Sequence, residues 1–266
     1  TIQTLFGYNP MGELLSVTDH GGFQTTHEYD RLGRRFATTS ADAGRIEMVF
    51  DLADNLLRKH TPNLREIFGE EGAISYSYDY ERLTGITYPI NFQNKVEISY
   101  GGPEARFNRA GRVVLRQDAS GGEEYFYDEH GDLRKSIRTL LINESTARTF
   151  VSAVDYDSWG REKRLGYPDG EWVTYGYGPG GQLATMQGEK DGNTYDYIKA
   201  ITYDEFDRMT GKTLGNGSRE EMSFDPLTQR PQSLKVATNG TTLQDLRLRY
   251  DVVGNLESRE QAATGA

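Results

Sequence analysis

An aromatic residue recurs along the whole chain at the head of one short phrase, and this repetition limits the folds that the chain can adopt. Successive copies are 20 to 29 residues apart. A fixed phrase at this period is typical of repeat architectures, in which each unit packs against the next. The eleven copies begin at Tyr8, Tyr29, Phe50, Tyr78, Phe107, Tyr127, Tyr156, Tyr177, Tyr203, Phe224 and Tyr250.

The residues that follow the aromatic are also alike from copy to copy. The next residue is Asp, Asn or Gly in all eleven copies, and these types dominate tight turns. An aliphatic side chain lies six residues after the aromatic in seven copies, for example Leu14 and Leu183. Glycine lies four residues after it in seven copies, at Gly12, Gly33, Gly111, Gly131, Gly160, Gly181 and Gly254.

This phrase predicts a β-hairpin. The aromatic and the residue two positions before it share one face of a strand, because side chains alternate along a strand. The Asp or Asn then opens a turn, and the glycine supplies a positive φ without steric cost. We therefore expect an all-β fold in which residues 1–266 form a single array of about eleven hairpins in one continuous, curved antiparallel sheet. An ordinary β-sandwich is the alternative, but sandwiches do not reuse one phrase eleven times.

Little else in the chain departs from this pattern. Helical patterning is limited to Arg65–Glu71, for which we expect one short turn. The copies at Tyr78 and Phe224 lack both the glycine and the aliphatic residue, so their hairpin geometry is the least defined.

About 22 strands at ~4.8 Å each give on the order of 105 Å of sheet, which would curl into a hollow ring. One open ring cannot seal a cargo, so we expect a piece of a longer shell or of an assembly of several chains.

Composition excludes several classes of function. The chain has no cysteine, and therefore no disulfide, thiolate metal site or cysteine nucleophile. Its formal net charge of −10 argues against a nucleic-acid partner, which requires a basic face. No stretch approaches the roughly 20 apolar residues of a membrane span. The chain opens without an initiator Met or a signal peptide, which suggests an excised piece of something longer.

No group of residues predicts catalysis or metal binding. The four histidines are scattered singly, and His27 on its strand is expected to be structural. The segment 191–193 is too short for a calcium loop. Adjacent carboxylates such as Glu123 and Glu124 face opposite sides of a strand, so they cannot act on one substrate. We therefore expect no enzyme activity, no metal and no cofactor.

Three of the copies closely resemble a known motif. Residues Tyr29–Arg34, Tyr127–Leu133 and Tyr250–Leu256 are similar to the YD repeat of the RHS family, which includes bacterial Rhs toxins, the C component of insecticidal toxin complexes and the animal teneurins. The resemblance implies hairpins wound into a spiral sheet around a hollow shell. In bacterial members the shell holds a C-terminal toxic domain, and an acidic core region cuts that domain free. Residues 224–227 resemble a fragment of that core but lie in phase with the ordinary repeats.

The resemblance implies a structural function. We expect a non-catalytic wall segment of an RHS-repeat shell that encapsulates a C-terminal toxin domain before delivery, in a secreted or cell-surface protein. The expected partners are the toxin or effector domain of the parent chain and other shell or secretion-complex subunits. A cell-surface adhesion or glycan-binding module is the alternative. In either case the eleven aromatics and seven glycines are architectural, and the aromatics either hold neighbouring hairpins in register or also line a cargo space.

Overall fold

The computed structural model describes residues 2–90, 92–143 and 145–262. Its 22 strands form one antiparallel sheet, so the prediction of an all-β fold of tandem hairpins is confirmed. The strands are β1 (Leu5–Tyr8), β2 (Leu14–Thr18), β3 (Gln24–Tyr29), β4 (Arg35–Ser40), β5 (Gly44–Phe50), β6 (Leu56–His60), β7 (Ala73–Asp79), β8 (Arg82–Thr87), β9 (Val96–Tyr100), β10 (Val113–Asp118), β11 (Gly121–Tyr127), β12 (Leu133–Asn143), β13 (Thr146–Tyr156), β14 (Glu162–Gly166), β15 (Trp172–Tyr177), β16 (Leu183–Lys190), β17 (Asn193–Tyr203), β18 (Met209–Leu214), β19 (Arg219–Phe224), β20 (Pro231–Thr238), β21 (Thr241–Tyr250) and β22 (Leu256–Gln261).

Helical structure is confined to short segments. The α-helix α1 (Pro62–Phe68) follows β6, and a 3-10 turn at Gly69–Glu71 follows it directly. The short turn expected over Arg65–Glu71 therefore lies within a slightly longer helical insert. Pro62 begins α1, where its missing N–H costs no hydrogen bond. A second 3-10 turn covers Phe92–Asn94.

The chain divides into two compact units. The first comprises Thr1–Asp132 with Ser136–Phe150, and the second comprises Leu133–Lys135 with Val151–Ala266. In the first unit, each strand from β1 to β11 pairs antiparallel with the next strand in sequence. In the second unit the same succession runs from β13 to β22.

A register shift recurs just before the aromatic of most hairpins. In the first hairpin Gly7 pairs with Ser16 but Tyr8 pairs with Leu14, so one residue of β2 is left over. The same shift precedes Tyr29 in β3 and Tyr177 in β15. An extra residue of this kind is a β-bulge, and it follows from a turn that ends on a residue with positive φ. The bulge brings the aromatic opposite the residue six positions later, which is often aliphatic.

The two faces of the first strand β21 differ in character. In β21, Leu246, Leu248 and Tyr250 alternate with the polar or charged Asp245, Arg247 and Arg249. The apolar side chains are half-buried, whereas the two arginines are exposed. Among the described residues the only apolar side chains that are buried are Ala37, Ala73, Val96 and Val173. Few side chains are fully covered because rings and aliphatic groups pack side by side within one layer, without a second layer over them.

None of the helices in the described part of the chain has the length and apolar character needed to cross a membrane.

Candidate functional site: the repeat turns and hairpin junctions

The residue after the aromatic organises most of the repeat turns. In the turn after β3, one carboxylate oxygen of Asp30 accepts hydrogen bonds from the backbone N–H groups of Leu32 and Arg34, at 2.9 and 3.0 Å. The Asp30 N–H donates to the Arg34 carbonyl, and the Gly33 N–H donates to the Asp30 carbonyl. The side-chain oxygens of Asn9, Asp51, Asp157, Asp204 and Asp251 accept the corresponding pair of bonds in their turns.

Seven of these turns place a glycine in the left-handed region. The seven glycines named from the sequence have φ between 71° and 102°, a conformation that costs other residues energy. Two copies without this glycine keep the same conformation with aspartate, at Asp54 (φ 72°) and Asp207 (φ 61°). Tyr80 and Gln229 have positive φ in the two divergent copies. The turn geometry is therefore kept where the glycine is absent.

Ten of the eleven aromatics lie at or next to the end of a first strand. Nine of them end their strand, and Tyr78 is the second-last residue of β7. Phe107 differs, because it lies in the loop between β9 and β10 with φ 60°. Tyr100 ends β9 in its place and pairs with Val113. The loop of residues 101–112 separates Tyr100 from β10, so the aromatic does not stand at the usual distance before the turn glycine. The alternation of Val96, Ile98 and Tyr100 was the sequence signal that Tyr100 ends the strand.

Tyrosine hydroxyls connect successive hairpins. At six junctions the tyrosine that ends a first strand donates to a carbonyl at the start of the second strand of the preceding hairpin, at 2.7 to 3.0 Å. We call this contact the hydroxyl rung. It joins residues that are distant in sequence but adjacent across the sheet, and it fixes the register between hairpins. The pairs are Tyr29 and Leu14, Tyr100 and Leu83, Tyr127 and Val113, Tyr156 and Leu133, Tyr177 and Glu162, and Tyr203 and Leu183.

An arginine that ends the turn lies over the aromatic ring of the next hairpin. Its guanidinium carbon is 4.0 to 5.7 Å from the ring centroid, which is the range of a cation–π contact. The sequence interpretation missed these arginines, although Arg34 stood in the quoted phrase Tyr29–Arg34. The pairs are Arg34 and Phe50, Arg82 and Tyr100, Arg112 and Tyr127, Arg161 and Tyr177, Arg208 and Phe224, and Arg230 and Tyr250.

Three of these arginines, Arg34, Arg161 and Arg208, bind both their own turn and the next one. Arg208 contacts the Asp204 carboxylate at 2.6 Å and donates to the Gln229 carbonyl at 3.0 Å. The hydrogen bond from Arg208, joined by the backbone N–H groups of Arg208 and Phe206, holds the pKa of Asp204 below its ordinary value. The Arg161 side chain lowers the pKa of Asp157 in the same way. In these turns the arginine therefore links the turn carboxylate to the aromatic ring of the next hairpin.

The residues weighed for catalysis have structural contacts. His27 Nδ1 lies 3.1 Å from Thr38 Oγ1, and burial, followed by the charge of Arg35, lowers the pKa of His27. Glu124 pairs with Arg109 at 2.7 Å. Its neighbour in the strand, Glu123, takes no part in this ion pair. Over the residues that the structure describes, no three His, Cys, Asp or Glu side chains are grouped as metal ligands. His27 and Glu124 therefore contact neighbouring segments of the chain.

Together these contacts define a class of protein: a single-layer sheet of tandem β-hairpins, joined at their junctions by varying combinations of aromatic, arginine and turn contacts. The model of the RHS repeat matches residues 8–46, which contain the first two copies of the phrase. The resemblance to the RHS/YD-repeat family is therefore confirmed. None of the curated protein sequences compared with the chain matches it.

The fold as a whole is similar to that of toxin-complex structures. A crystal structure of TcdB2-TccC3 superposes with a TM-score of 0.86 over 100% of this chain, at 22% sequence identity. A crystal structure of TcdB2-TccC3-Cdc42 gives the same values. A structure of the Photorhabdus luminescens Tc holotoxin pore gives a TM-score of 0.85 over 99% of the chain, at 22% identity. This chain spans 14% of the length of each of those chains, and at this identity the likeness concerns the fold.

Proposed function

We propose that the chain is a non-catalytic wall segment of an RHS-repeat shell that encapsulates a C-terminal toxin domain of a longer parent protein before delivery. The observation that carries this proposal is the single-layer sheet, in which strands such as β21 carry a half-buried row of apolar and aromatic side chains. A layer of this kind has no packed core of its own, so its apolar face is available to a chain held against it. The similarity to TcdB2-TccC3 and to a Tc holotoxin pore supports the toxin context and export from the cell.

Confinement by this wall would act through broad, weak contact rather than through a specific pocket. An unfolded toxin domain exposes apolar side chains, and the half-buried rings and aliphatic groups of the first strands offer it apolar surface at every hairpin. The turn and junction contacts keep this face in place. In this proposal residues 1–266 act as one array within the parent shell, and other shell or secretion-complex subunits complete the enclosure.

The experiment measures binding of a permanently unfolded probe, reduced and carboxymethylated α-lactalbumin, by fluorescence anisotropy. We expect weak binding that Leu248→Glu on the apolar face of β21 reduces about tenfold, which corresponds to ~1.4 kcal/mol. Leu243→Glu is the control, because Leu243 is an exposed leucine of the same strand that lies at a β-bulge, apart from the half-buried Leu246, Leu248 and Tyr250. Circular dichroism confirms that both variants fold. Equal binding by both variants, or no binding by the unaltered chain, would refute the wall function.

Glycan binding is the second candidate, and one surface feature favours it. Tyr195 and Tyr197 of β17 are partly exposed, with ring centroids 5.3 Å apart, and both hydroxyls donate to one oxygen of Glu171 at 2.7 and 2.5 Å. Aromatic rings beside a carboxylate are groups that bind sugars. The rings are T-shaped rather than coplanar, which gives no flat stacking platform. Binding on a glycan array that Tyr195→Ala abolishes would support adhesion instead of encapsulation.

A further inference from the structure

We propose that Asn239 is a site of spontaneous chemical modification, at which the backbone nitrogen of Gly240 attacks the side-chain amide and converts the asparagine to aspartate or isoaspartate. The proposal does not depend on the encapsulating role. The sequence contains two Asn-Gly pairs, Asn216-Gly217 and Asn239-Gly240. Each pair lies in a turn that connects one hairpin to the next, so the two can be compared within one fold.

The reaction needs no enzyme, and water is its co-reactant. The Gly240 nitrogen loses its proton to hydroxide and attacks the Cγ atom of Asn239. The N–Cγ bond forms, the Cγ–Nδ2 bond breaks, and ammonia leaves with a proton from water, which restores the hydroxide. Water then opens the cyclic succinimide at one of its two carbonyls. Opening at Cγ gives aspartate, whereas opening at the backbone carbonyl leaves the chain linked through Cγ, which is isoaspartate.

The two Asn-Gly pairs are alike in exposure and in the space around the glycine. Both asparagines and both glycines are exposed. Gly217 and Gly240 have φ of 87° and 81°, and a Cβ at either position would meet nothing within 4 Å. Glycine leaves its own nitrogen unshielded and its backbone free to rotate, which the attack requires. Exposure and the following residue therefore do not distinguish the two sites.

Hydrogen bonds restrain the pair at Asn216. The Gly217 N–H donates to the Leu214 carbonyl at 3.0 Å, so the nitrogen that would attack is already engaged. The side-chain oxygen Oδ1 of Asn216 accepts the backbone N–H of the buried Ser218 at 2.9 Å, which fixes the orientation of the amide. Attack at Asn216 therefore requires that both hydrogen bonds break.

The turn at Asn239 has no comparable restraint. Asn239 and Gly240 are the two residues between β20 and β21, and Thr238 pairs with Thr241 on either side of them. Among the residues that the structure describes, neither the Asn239 side chain nor the Gly240 N–H has a hydrogen-bond partner. Opening the last pair of two strands beside a tight turn costs little free energy. At Asn239 both reacting groups are therefore free to meet.

Isoaspartate would alter this turn more than aspartate would. It adds a methylene group to the main chain, and the length of a tight turn fixes the register of the strands beside it. Aspartate keeps the normal main chain, and Asp-Gly suits the same kind of turn as Asn-Gly. We therefore expect the modified chain to lose the pairing of Thr238 with Thr241, whereas the variant Asn239→Asp keeps it.

The experiment follows both asparagines while the folded chain is incubated at mildly alkaline pH. Trypsin separates them, because residues 213–219 and 236–247 form two peptides with one Asn-Gly pair each. Mass spectrometry measures the replacement of the amide by a carboxylate, and protein isoaspartyl methyltransferase detects isoaspartate. We expect Asn239 to react about tenfold faster than Asn216, which corresponds to ~1.4 kcal/mol for the hydrogen bonds that Asn216 must break.

Two controls separate the effect of the fold from that of the local sequence. In the urea-unfolded chain both sites should react at similar rates, since each is then an unrestrained Asn-Gly pair. Asn239→Asp, incubated in the same way, has the charge of the product without the altered main chain and should keep its melting temperature, whereas that of the unaltered chain should fall.

The proposal is overturned if Asn216 reacts as fast as Asn239 in the folded chain, if the difference persists in urea, or if the product contains no isoaspartate. A melting temperature of the unaltered chain that incubation leaves unchanged would refute the expected loss of pairing at Thr238 and Thr241.

Discussion

The hairpin junctions at Tyr177 and Phe224 each contain an arginine stacked on the ring, but only the junction at Tyr177 has a tyrosine hydroxyl. The guanidinium carbons of Arg161 and Arg208 lie 4.1 and 4.0 Å from the respective ring centroids. Tyr177 also donates to the Glu162 carbonyl at 2.7 Å, whereas phenylalanine has no donor. Arginine stacking occurs with either ring, and the hydroxyl rung is an addition to it. This explains how Tyr and Phe can alternate along the repeat without changing the hairpin plan.

Acidification should produce the largest effect, because it acts on many turns at once. The pKa values of Asp157 and Asp204 lie below their ordinary values in the folded chain, chiefly through hydrogen bonds from Arg161 and Arg208. Such carboxylates stabilise the fold above the unfolded pKa of about 4, and this stability is lost as the pH falls through the lower folded pKa. We expect a melting temperature that falls slightly below about pH 6.5, because the folded chain resists protonation of His27, and that drops more steeply below about pH 4.

Asp204→Asn tests whether the turn carboxylates cause this acid sensitivity. The variant should be less stable at neutral pH and should lose less stability on acidification, since one titrating contact is already absent. Glu205→Gln, one residue further along the same turn, is the matched control and should keep the full acid sensitivity. Equal acid sensitivity of Asp204→Asn and the unaltered chain would contradict the assignment.

Gly131→Val should be the most destabilising single substitution considered. Gly131 has φ 94°, and a side chain there would also collide with the guanidinium of Arg112, which lies over Tyr127. We expect a loss of about 3 kcal/mol in the free energy of unfolding. Gly160→Val, where a Cβ meets nothing within 4 Å, should cost only the backbone strain, about 2 kcal/mol. Chemical denaturation measures the free energy of unfolding of both variants. Equal losses would show that displacing Arg112 from Tyr127 does not reduce the stability.

Removing the arginine should matter more at the phenylalanine junction. Arg208→Ala leaves Phe224 without a cation–π contact or a hydroxyl, and we expect a loss of about 2 kcal/mol. Arg161→Ala leaves the hydroxyl of Tyr177 bonded, and a loss of about 1 kcal/mol is expected. Urea unfolding of both variants gives the difference. The reverse order would mean that the hydroxyl and the arginine depend on each other.

Removing the hydroxyl at Tyr177, or adding one at Phe224, should change the stability least. Each substitution gives one junction the ring of the other. Tyr177→Phe removes the rung and should cost about 1 kcal/mol. Phe224→Tyr places a hydroxyl near the start of β18, at Met209, and should stabilise by about 0.5 kcal/mol. Thermal melting of the two variants and of the double variant tests this. A destabilised Phe224→Tyr variant would show that the ring lies too close to β18 to leave room for a hydroxyl.

The sequence predicted the hairpins well where the phrase is local. The turn begins with Asp30 or Asp204 and ends on a residue with positive φ within four positions, so nearby residues suffice to define it. Phe107 was misplaced because the 101–112 loop separates the aromatic Tyr100 from its turn glycine. The arginine stacks went unnoticed because Arg34 and Phe50 belong to different hairpins, and their contact depends on how hairpins align.

The amino-acid sequence by itself determined the repeating unit, because alternation, turn carboxylates and glycine conformation act over a few neighbouring residues. Only the tertiary structure decided which ring receives which arginine and which carbonyl accepts each tyrosine hydroxyl. Those features depend on register between strands that are 14 or more residues apart, as between Tyr127 and Val113. A shift of one residue would move every side chain to the other face, so no local pattern can fix them.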